Sequence, residues 1–541
     1  MKTAARIEFG DFQTPLPLAR EVGALLKAQG VRADAIFEPT CGLGAFLQAA
    51  AECYPHAGLR GFDIKGEYVE AAAKRLNDLG AGHRATIRQE DFFRHDWDTE
   101  LRRARGAILI LGNLPWVTNQ AVGSLNGSNV PVKENFQGFR GIEARTGKSN
   151  FDISEWMLIR LVNALRGRQA TIAMLCKTAT ARKLLRYGWQ NDGRIASAAL
   201  HRIDAKAHFG ASVDACLLVA RLGAAGLAEA AVFESLQAQN PVRRIGLAGQ
   251  DFVGDIETYR QLQHLEGLCP YQWRSGVKHD CASVMELQLD ERGILRNKLG
   301  DSVLIEPEYL YPLLKCSDLA NGRSVPERMV VATQKRVGDD TSAIEARAPR
   351  TWGYLNAHSE RFRARKSSIY KEQTPFALFG IGDYTFAPWK VAVSGLHHHP
   401  RFVVVAPYKS KPVLFDDTCY FLPFADEAEA RIVADVLNSK ACRALLAALM
   451  FEDAKRPVTV ELLRRLNLSA IAHEAGMSAR WRAIQRTGYS RHTVAPQLEL
   501  VMERAESVSP KRLKPAGAKR APSSAMRKRR PARPGSVLSN D

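Results

Sequence analysis

The amino-acid sequence predicts an α/β fold: a doubly wound sheet over residues 1–222, a mixed α+β region over 223–470, a helical extension over 471–506 and a disordered basic tail over 507–541. Three observations lead there. From residue 12 to 222, short apolar runs rich in β-branched residues alternate with segments of helical periodicity, the pattern of parallel strands joined by crossover helices. Each of the first three runs is closely followed by a carboxylate (Glu38, Asp63, Asp91), and a glycine-rich turn follows the first. The fourth run, residues 107–112, stops at Asn113-Leu114-Pro115-Trp116. Ligands of open α/β sheets sit beyond the carboxyl ends of the strands, so these ends are the candidate site.

Phe12-Gln13-Thr14-Pro15 opens the first helix, with Thr14 as N-cap, Pro15 at the first helical position, and Val22, Leu25 and Leu26 at helical spacing up to Gly30. A short strand at 35–37 leads through Glu38 and Pro39 to Thr40-Cys41-Gly42-Leu43-Gly44, and a helix then runs to Cys53. Gly42 and Gly44 let the backbone approach a ligand closely at a helix N-terminus. The spacing departs from a dinucleotide fingerprint, because Leu47 stands where the third glycine or alanine belongs. Without a pyrophosphate to cradle, Glu38 suits a cationic amino-acid moiety. The second strand, 59–62, ends in Asp63, about 20 residues after the glycine turn, where a carboxylate takes the ribose hydroxyls of an adenosine-containing ligand. A helix over 67–79 stops at Gly80, and the third strand, 85–89, leads to Asp91-Phe92-Phe93.

At the end of the fourth strand, the Asn113 side-chain oxygen and the Leu114 carbonyl can accept the two hydrogens of an exocyclic amine, leaving the nitrogen lone pair free to attack an electrophile. Pro115 pushes residue 114 into an extended conformation, and Trp116 can stack on a flat ring. By itself the tetrad is also an ordinary strand-to-loop turn, and its company decides. The tetrad resembles the Asn-Pro-Pro-Tyr/Trp motif of the S-adenosylmethionine-dependent adenine-N6 DNA methyltransferases, with Leu114 in place of the usual proline; residues 38–46 resemble that family's cofactor loop. The resemblance implies a Rossmann-like methyltransferase sheet, S-adenosylmethionine as cofactor and no metal. The order of cofactor loop, catalytic tetrad and recognition region is similar to the gamma arrangement of type II enzymes. Carried over residue by residue, Glu38, Pro39, Cys41, Gly42, Gly44 and Asp63 hold the cofactor. Phe12, Thr14 and Pro15 close its methionine end, and Asp91 with Phe92 meets its adenine. Asn113, Leu114, Pro115 and Trp116 then hold the target adenine, with Phe209 as a second face.

Residues 117–150 are polar and rich in glycine and asparagine, with Lys133, Arg140, Arg145 and Lys148; a mobile flap over the target nucleotide is expected. Asp152 and Glu155 start a capped helix to Leu165, and strands follow at 170–176 and, as the last of the sheet, at 213–222. Beyond it, strands are expected at 390–394, 401–405 and 419–422, and helices at 427–437 and 460–466. Aromatics and cations interleave in this region, among them Trp273, Arg274, Lys278, His279, Tyr311, Arg361, Arg363, Lys366, Tyr384, Trp389 and Lys390. The runs 273–280, 309–319, 386–395 and 455–459 are similar to target-recognition domains of type II adenine methyltransferases, and together these side chains read as a DNA-binding face. His397-His398-His399 has no carboxylate or cysteine at ligand spacing and reads as a loop.

A net charge of +19 points to a polyanionic partner, here double-stranded DNA. Nine scattered cysteines without a C-x-x-C pair argue against a zinc site or disulfide framework and fit a reducing cytosol. No leader-like apolar stretch and no run of ~18 apolar residues is present, so a cytoplasmic monomer without membrane association is expected. The activity expected is site-specific methylation of the N6 amine of a flipped adenine within a restriction-modification system, beside a separate cognate endonuclease rather than a fused one. Two further readings fit the same residues: a non-catalytic DNA-binding protein whose site Leu114 broke, and a methyltransferase of an RNA or protein amine.

Overall fold

Residues 12–117, 152–191 and 194–486 are described by the computed structural model of the chain. The expected flap, beyond Val117, and the expected basic tail lie outside the described residues. Strands β1 (Ala35–Glu38), β2 (Gly58–Asp63), β3 (Ala85–Gln89), β4 (Ile108–Asn113) and β5 (Ala170–Lys177) run parallel in the spatial order 3-2-1-4-5. Strand β7 (Ala215–Leu222) pairs antiparallel with both β5 and β6 (Ile195–Ile203). The strand order reverses between β1 and β4, and a crevice opens at such a switch point on the carboxyl side.

The central strands lack apolar/polar alternation because helices cover both faces. Along β4, Ile108 and Ile110 enter a core with Met157 and Leu158, while Leu109 and Leu111 enter a second core with Leu18 and Phe46. The helix Leu16–Ala28 contributes Leu18, Val22 and Leu26 to that second core, and the helix Ile153–Ala164 closes the first. Asp152 caps the latter as expected, though through the N–H of Ser154 at the second helical position rather than that of Glu155 at the third, which a D-x-x-E box would use. The first helix differs from expectation: its N-cap is Pro15, and Thr14 lies one residue outside it.

The strand expected to close the sheet does not close it. Strands β8 (Glu229–Phe233), β9 (Arg243–Ala248) and β10 (Asp251–Val253) continue the same sheet beyond β6, giving ten strands. Further along the chain, a four-stranded sheet contains Trp389–Ser394, Val403–Val405 and Cys419–Phe424, and a five-stranded one contains Leu310–Leu314 and Arg328–Val331. The helix Glu427–Leu437 packs its Val433 and Leu437 into the core around the four-stranded sheet.

This C-terminal region corrects the expected DNA face. Trp273, Arg274, His279, Tyr311, Tyr384 and Lys390 are all buried. The Arg274 guanidinium lies 4.5 Å from the centre of the Tyr384 ring, and Lys390 Nζ donates to the Ala387 carbonyl at 2.6 Å. Their aliphatic stems and rings fill the interior; Arg274 also donates to Gln272 Oε1 at 2.5 Å, and the His279 ring accepts from the Cys281 N–H at 3.2 Å. Arg361, Arg363 and Lys366 are exposed. Scattered cysteines also meet: Cys316 and Cys419 lie with their sulfurs 3.8 Å apart in the interior. Among the described residues, no helix is long and apolar enough to cross a membrane.

Candidate active site

Because β3, β2, β1 and β4 are neighbours in that order, Asp91, Asp63, Glu38 and Asn113 stand in a row along the carboxyl edge of the sheet. At ~4.8 Å per strand the row is about 14 Å long, room for an extended nucleoside-amino acid. A crevice open to solvent runs along it. Its walls include Phe12, Thr14, Glu38, Gly42, Asp63 and Asn113.

The glycine turn shapes the middle of the crevice. Gly42 and Gly44 have φ of +48° and +77°, a region L-residues enter with strain. A Cβ at Gly44 would lie 2.9 Å from Ala72 Cβ, and one at Gly42 would meet the Gln13 side chain at 2.6 Å. The turn is held from two sides. Asp63 Oδ2 accepts from the Gly42 N–H at 2.8 Å, and Gln13 Oε1 accepts from the Leu43 N–H at 3.1 Å. Asp63 Oδ1 takes the Lys65 N–H at 3.0 Å, so the carboxylate is fixed in direction at the end of β2.

Glu38 is buried, and its Oε2 accepts from the Leu47 N–H at 3.2 Å. Burial pushes its carboxyl well above the ordinary carboxylate range; the Leu47 bond offsets part of this, and the charge of Asp63 adds to it. An approaching cation would offset that burial cost and restore the carboxylate. Burial likewise raises the neighbouring Cys41 thiol, which stays protonated. Asp91 Oδ1 accepts from the Phe93 N–H at 2.9 Å, and the buried Phe92 ring packs 4.9 Å from Trp97.

Asn113, at the end of β4, is oriented at both ends. Its Nδ2 donates to the Phe12 carbonyl at 3.3 Å and lies 3.4 Å from Thr14 Oγ1, and Thr40 Oγ1 donates to its main-chain carbonyl at 3.2 Å. Its Oδ1 is buried and has no hydrogen-bond partner among the described residues. Pro115 lines the crevice next to it, while the Leu114 side chain turns into the core. Trp116 and Phe209 are in direct edge-to-face contact, with ring centres 5.1 Å apart and nearly perpendicular, so they do not stand apart as two faces of a slot. Both are buried, and the Phe12 ring lies 5.9 Å from Trp116. Pro39, Cys41 and Phe92 also line the crevice; Gly44, Pro15, Trp116 and Phe209 do not.

Comparison with known proteins decides the family. The type II methyltransferase M.NspV of Nostoc sp. is 41% identical over 474 residues, covering 86% of this chain and 98% of that protein. The chain belongs to the type II DNA methyltransferases. M.XamI of Xanthomonas campestris pv. amaranthicola, another type II methyltransferase, is 30% identical over 114 residues, 21% of each chain. The fold of this methyltransferase is similar to that of MmeI, a type IIL restriction-modification enzyme solved in complex with DNA. The TM-score is 0.53 at 13% identity, over 91% of this chain and 70% of that one. No family model matches the chain.

In this methyltransferase several crevice residues escaped the sequence reading. Gln13 and Thr40 each sit inside a motif that the sequence does display, so spacing alone marked them. Lys65, the N-cap of the helix Gly66–Asp78, and Tyr68 three residues on also line the crevice, with Lys65 Nζ 4.6 Å from the Tyr68 ring centre. Met157 and Ile153, from the helix after β4, could not be placed there without the fold.

Proposed function

We propose that this chain methylates the N6 amine of an adenine flipped out of duplex DNA, at a specific site and within a restriction-modification system. The observation that carries this is Asn113 Oδ1, a buried acceptor without a partner among the described residues, on a residue that lines the crevice of the glycine turn. Buried polar atoms are seldom left unpaired unless a ligand completes them. The residues present fit S-adenosylmethionine: Glu38 for the ammonium group, Asp63 for the ribose hydroxyls, Asp91 for the adenine amine, and the Gly42–Gly44 turn for close approach. When bound, that cofactor supplies an electrophilic methyl group. Asn113 Oδ1 and the Leu114 carbonyl accept the two amine hydrogens of the target base, which frees its lone pair and fixes its direction. Stacking on Trp116 requires the Phe12 ring to draw aside. Extrusion of the base costs a few kcal/mol, and the binding of flanking DNA offsets it. MmeI, of similar fold, is solved with DNA, which supports DNA as the substrate.

The test is expression in a methylase-free host, followed by nucleoside analysis and sequencing of the modified DNA. N6-methyladenine at one sequence is expected; N4-methylcytosine or an unmodified genome overturns the assignment. Asn113→Ala should lower methyl transfer by about 10²–10³-fold or more, as loss of a positioned polar group does elsewhere, with cofactor affinity kept within about twofold. Undiminished transfer would remove Asn113 from the chemistry.

A further inference from the structure

Thr14 has the side chain of a helix cap, yet the helix beside it begins with Pro15 as N-cap, and no side-chain hydrogen bond caps it. The Thr14 hydroxyl oxygen lies instead 3.4 Å from Asn113 Nδ2. The same nitrogen has the Phe12 carbonyl at 3.3 Å. The two hydrogens of the Asn113 amide therefore have one acceptor each. A flipped amide would set its oxygen against the Phe12 carbonyl, two acceptors with no hydrogen between them. The geometry thus defines which end of the amide is left over, and it is the oxygen, buried and unpartnered among the described residues.

We propose that Thr14 is a positioning residue for methyl transfer: its hydroxyl, with the Phe12 carbonyl, locks the Asn113 amide so that Oδ1 faces the acceptor amine. This rests on the reading that Asn113 accepts a nucleobase amine. The adjacent Gln13 accepts from the Leu43 N–H of the glycine turn. The segment Phe12-Gln13-Thr14 thereby ties the turn that shapes the crevice to the amide that receives the base. An amide with a free choice of rotamer would present its NH₂ to the substrate amine part of the time, donor against donor. Locking it removes that unproductive population, and with both substrates at saturation the loss is read in the rate.

The experiment compares Thr14→Val and Thr14→Ser with the unaltered full-length chain. Single-turnover transfer of labelled methyl from S-adenosylmethionine to DNA is measured with both at saturation, beside the thermal midpoint of each protein. Valine keeps the shape and loses the acceptor. Because the Phe12 carbonyl still holds one hydrogen, Thr14→Val should slow the saturated rate by about tenfold rather than abolish it. Thr14→Ser should restore the rate to within about twofold, and the thermal midpoints should match. A Thr14→Val rate equal to that of the unaltered chain at saturation overturns the proposal, even if cofactor binding weakens; so does a serine variant as slow as the valine one. If the unaltered chain transfers methyl to no nucleobase amine, the underlying reading falls and the positioning role falls with it. Transfer by the unaltered chain with an indifferent Thr14→Val overturns the positioning role alone.

Discussion

The ten-stranded sheet and the region that follows it are built from the same kinds of residues by different means. In the sheet, the polar side chains of the candidate site gather at one edge, where the carboxyl ends of β1 to β4 meet, and the two cores that flank it are apolar, with a few polar side chains such as His201 and Thr180 buried beside them. In the region from Trp273 to Phe424, polar and aromatic side chains are spent on the interior. Glu286 is buried with Lys298 and Lys315 each 2.7 Å from its carboxylate and His279 3.7 Å away, and Arg274 and Lys390 are buried elsewhere in the region. A chemical signature at the end of a buried parallel strand marks a site. The same residue types in short strands paired over long distances can be structure.

The sharpest way to break that contrast is Trp273→Ala. Trp273 is 2% exposed and packs in the core with Phe402, ring centres 5.9 Å apart. Removing it should destabilise the protein by about 3–5 kcal/mol, measured by denaturant unfolding, with cofactor affinity unchanged. Unaltered stability with loss of DNA binding would return Trp273 to a DNA face.

How much was legible follows from range. The strand Ala85–Gln89 and the helix Glu427–Leu437 fall where the sequence placed them, because their signals are local: β-branched runs bounded by turns, and an Asp426 cap that the structure shows accepting from the Glu429 N–H. Asn113 and the Gly42–Gly44 turn were legible because each pairs a strand end with a backbone constraint. Strand β6, with Ala196, Ala198 and Ala199, carries little β propensity and takes its place only through pairing with β7 and β8. The buried Lys390 and the pairing of Arg274–Ser275 with strand Cys419–Phe424, across more than a hundred residues, had no local signal at all. Nor did Thr14, whose hydroxyl the sequence assigned to a cap and the fold placed against Asn113.

Glu38 tests the sheet side of the contrast through its charge. Its carboxyl is held above the ordinary range by burial, so the folded protein binds that proton more tightly than the unfolded chain. Its contribution to stability is therefore lost as pH rises above the unfolded value near 4.5 toward the raised folded one. Glu38→Gln should flatten that decline and raise the thermal midpoint at neutral pH. It should also weaken S-adenosylmethionine binding by about tenfold or more, because the amide cannot give up a proton to become the carboxylate that pairs with the ligand's cation. Calorimetry at pH 7 checks the second effect. Higher stability with undiminished affinity would separate Glu38 from the cofactor.

Lys390 provides the smallest and most specific test, on the other side. Burial pushes its ammonium down to about 7, and its Nζ has the Ala387 carbonyl as acceptor. A lysine depressed in this way binds its proton less tightly when folded. Stability should therefore rise with pH between about 7 and the unfolded value of 10.5. Lys390→Met keeps the apolar stem and removes the titration, so it should stabilise the protein by on the order of 1 kcal/mol at pH 7 and by less at pH 10. Denaturant unfolding at the two pH values measures the difference. An interior lysine should also be silent toward polyanions, so the salt dependence of DNA affinity should be the same for Lys390→Met as for the unaltered chain. A shallower salt slope would mean that this cation reaches phosphate, and the division between a polar edge and a polar interior would then fail at the residue where it is most extreme.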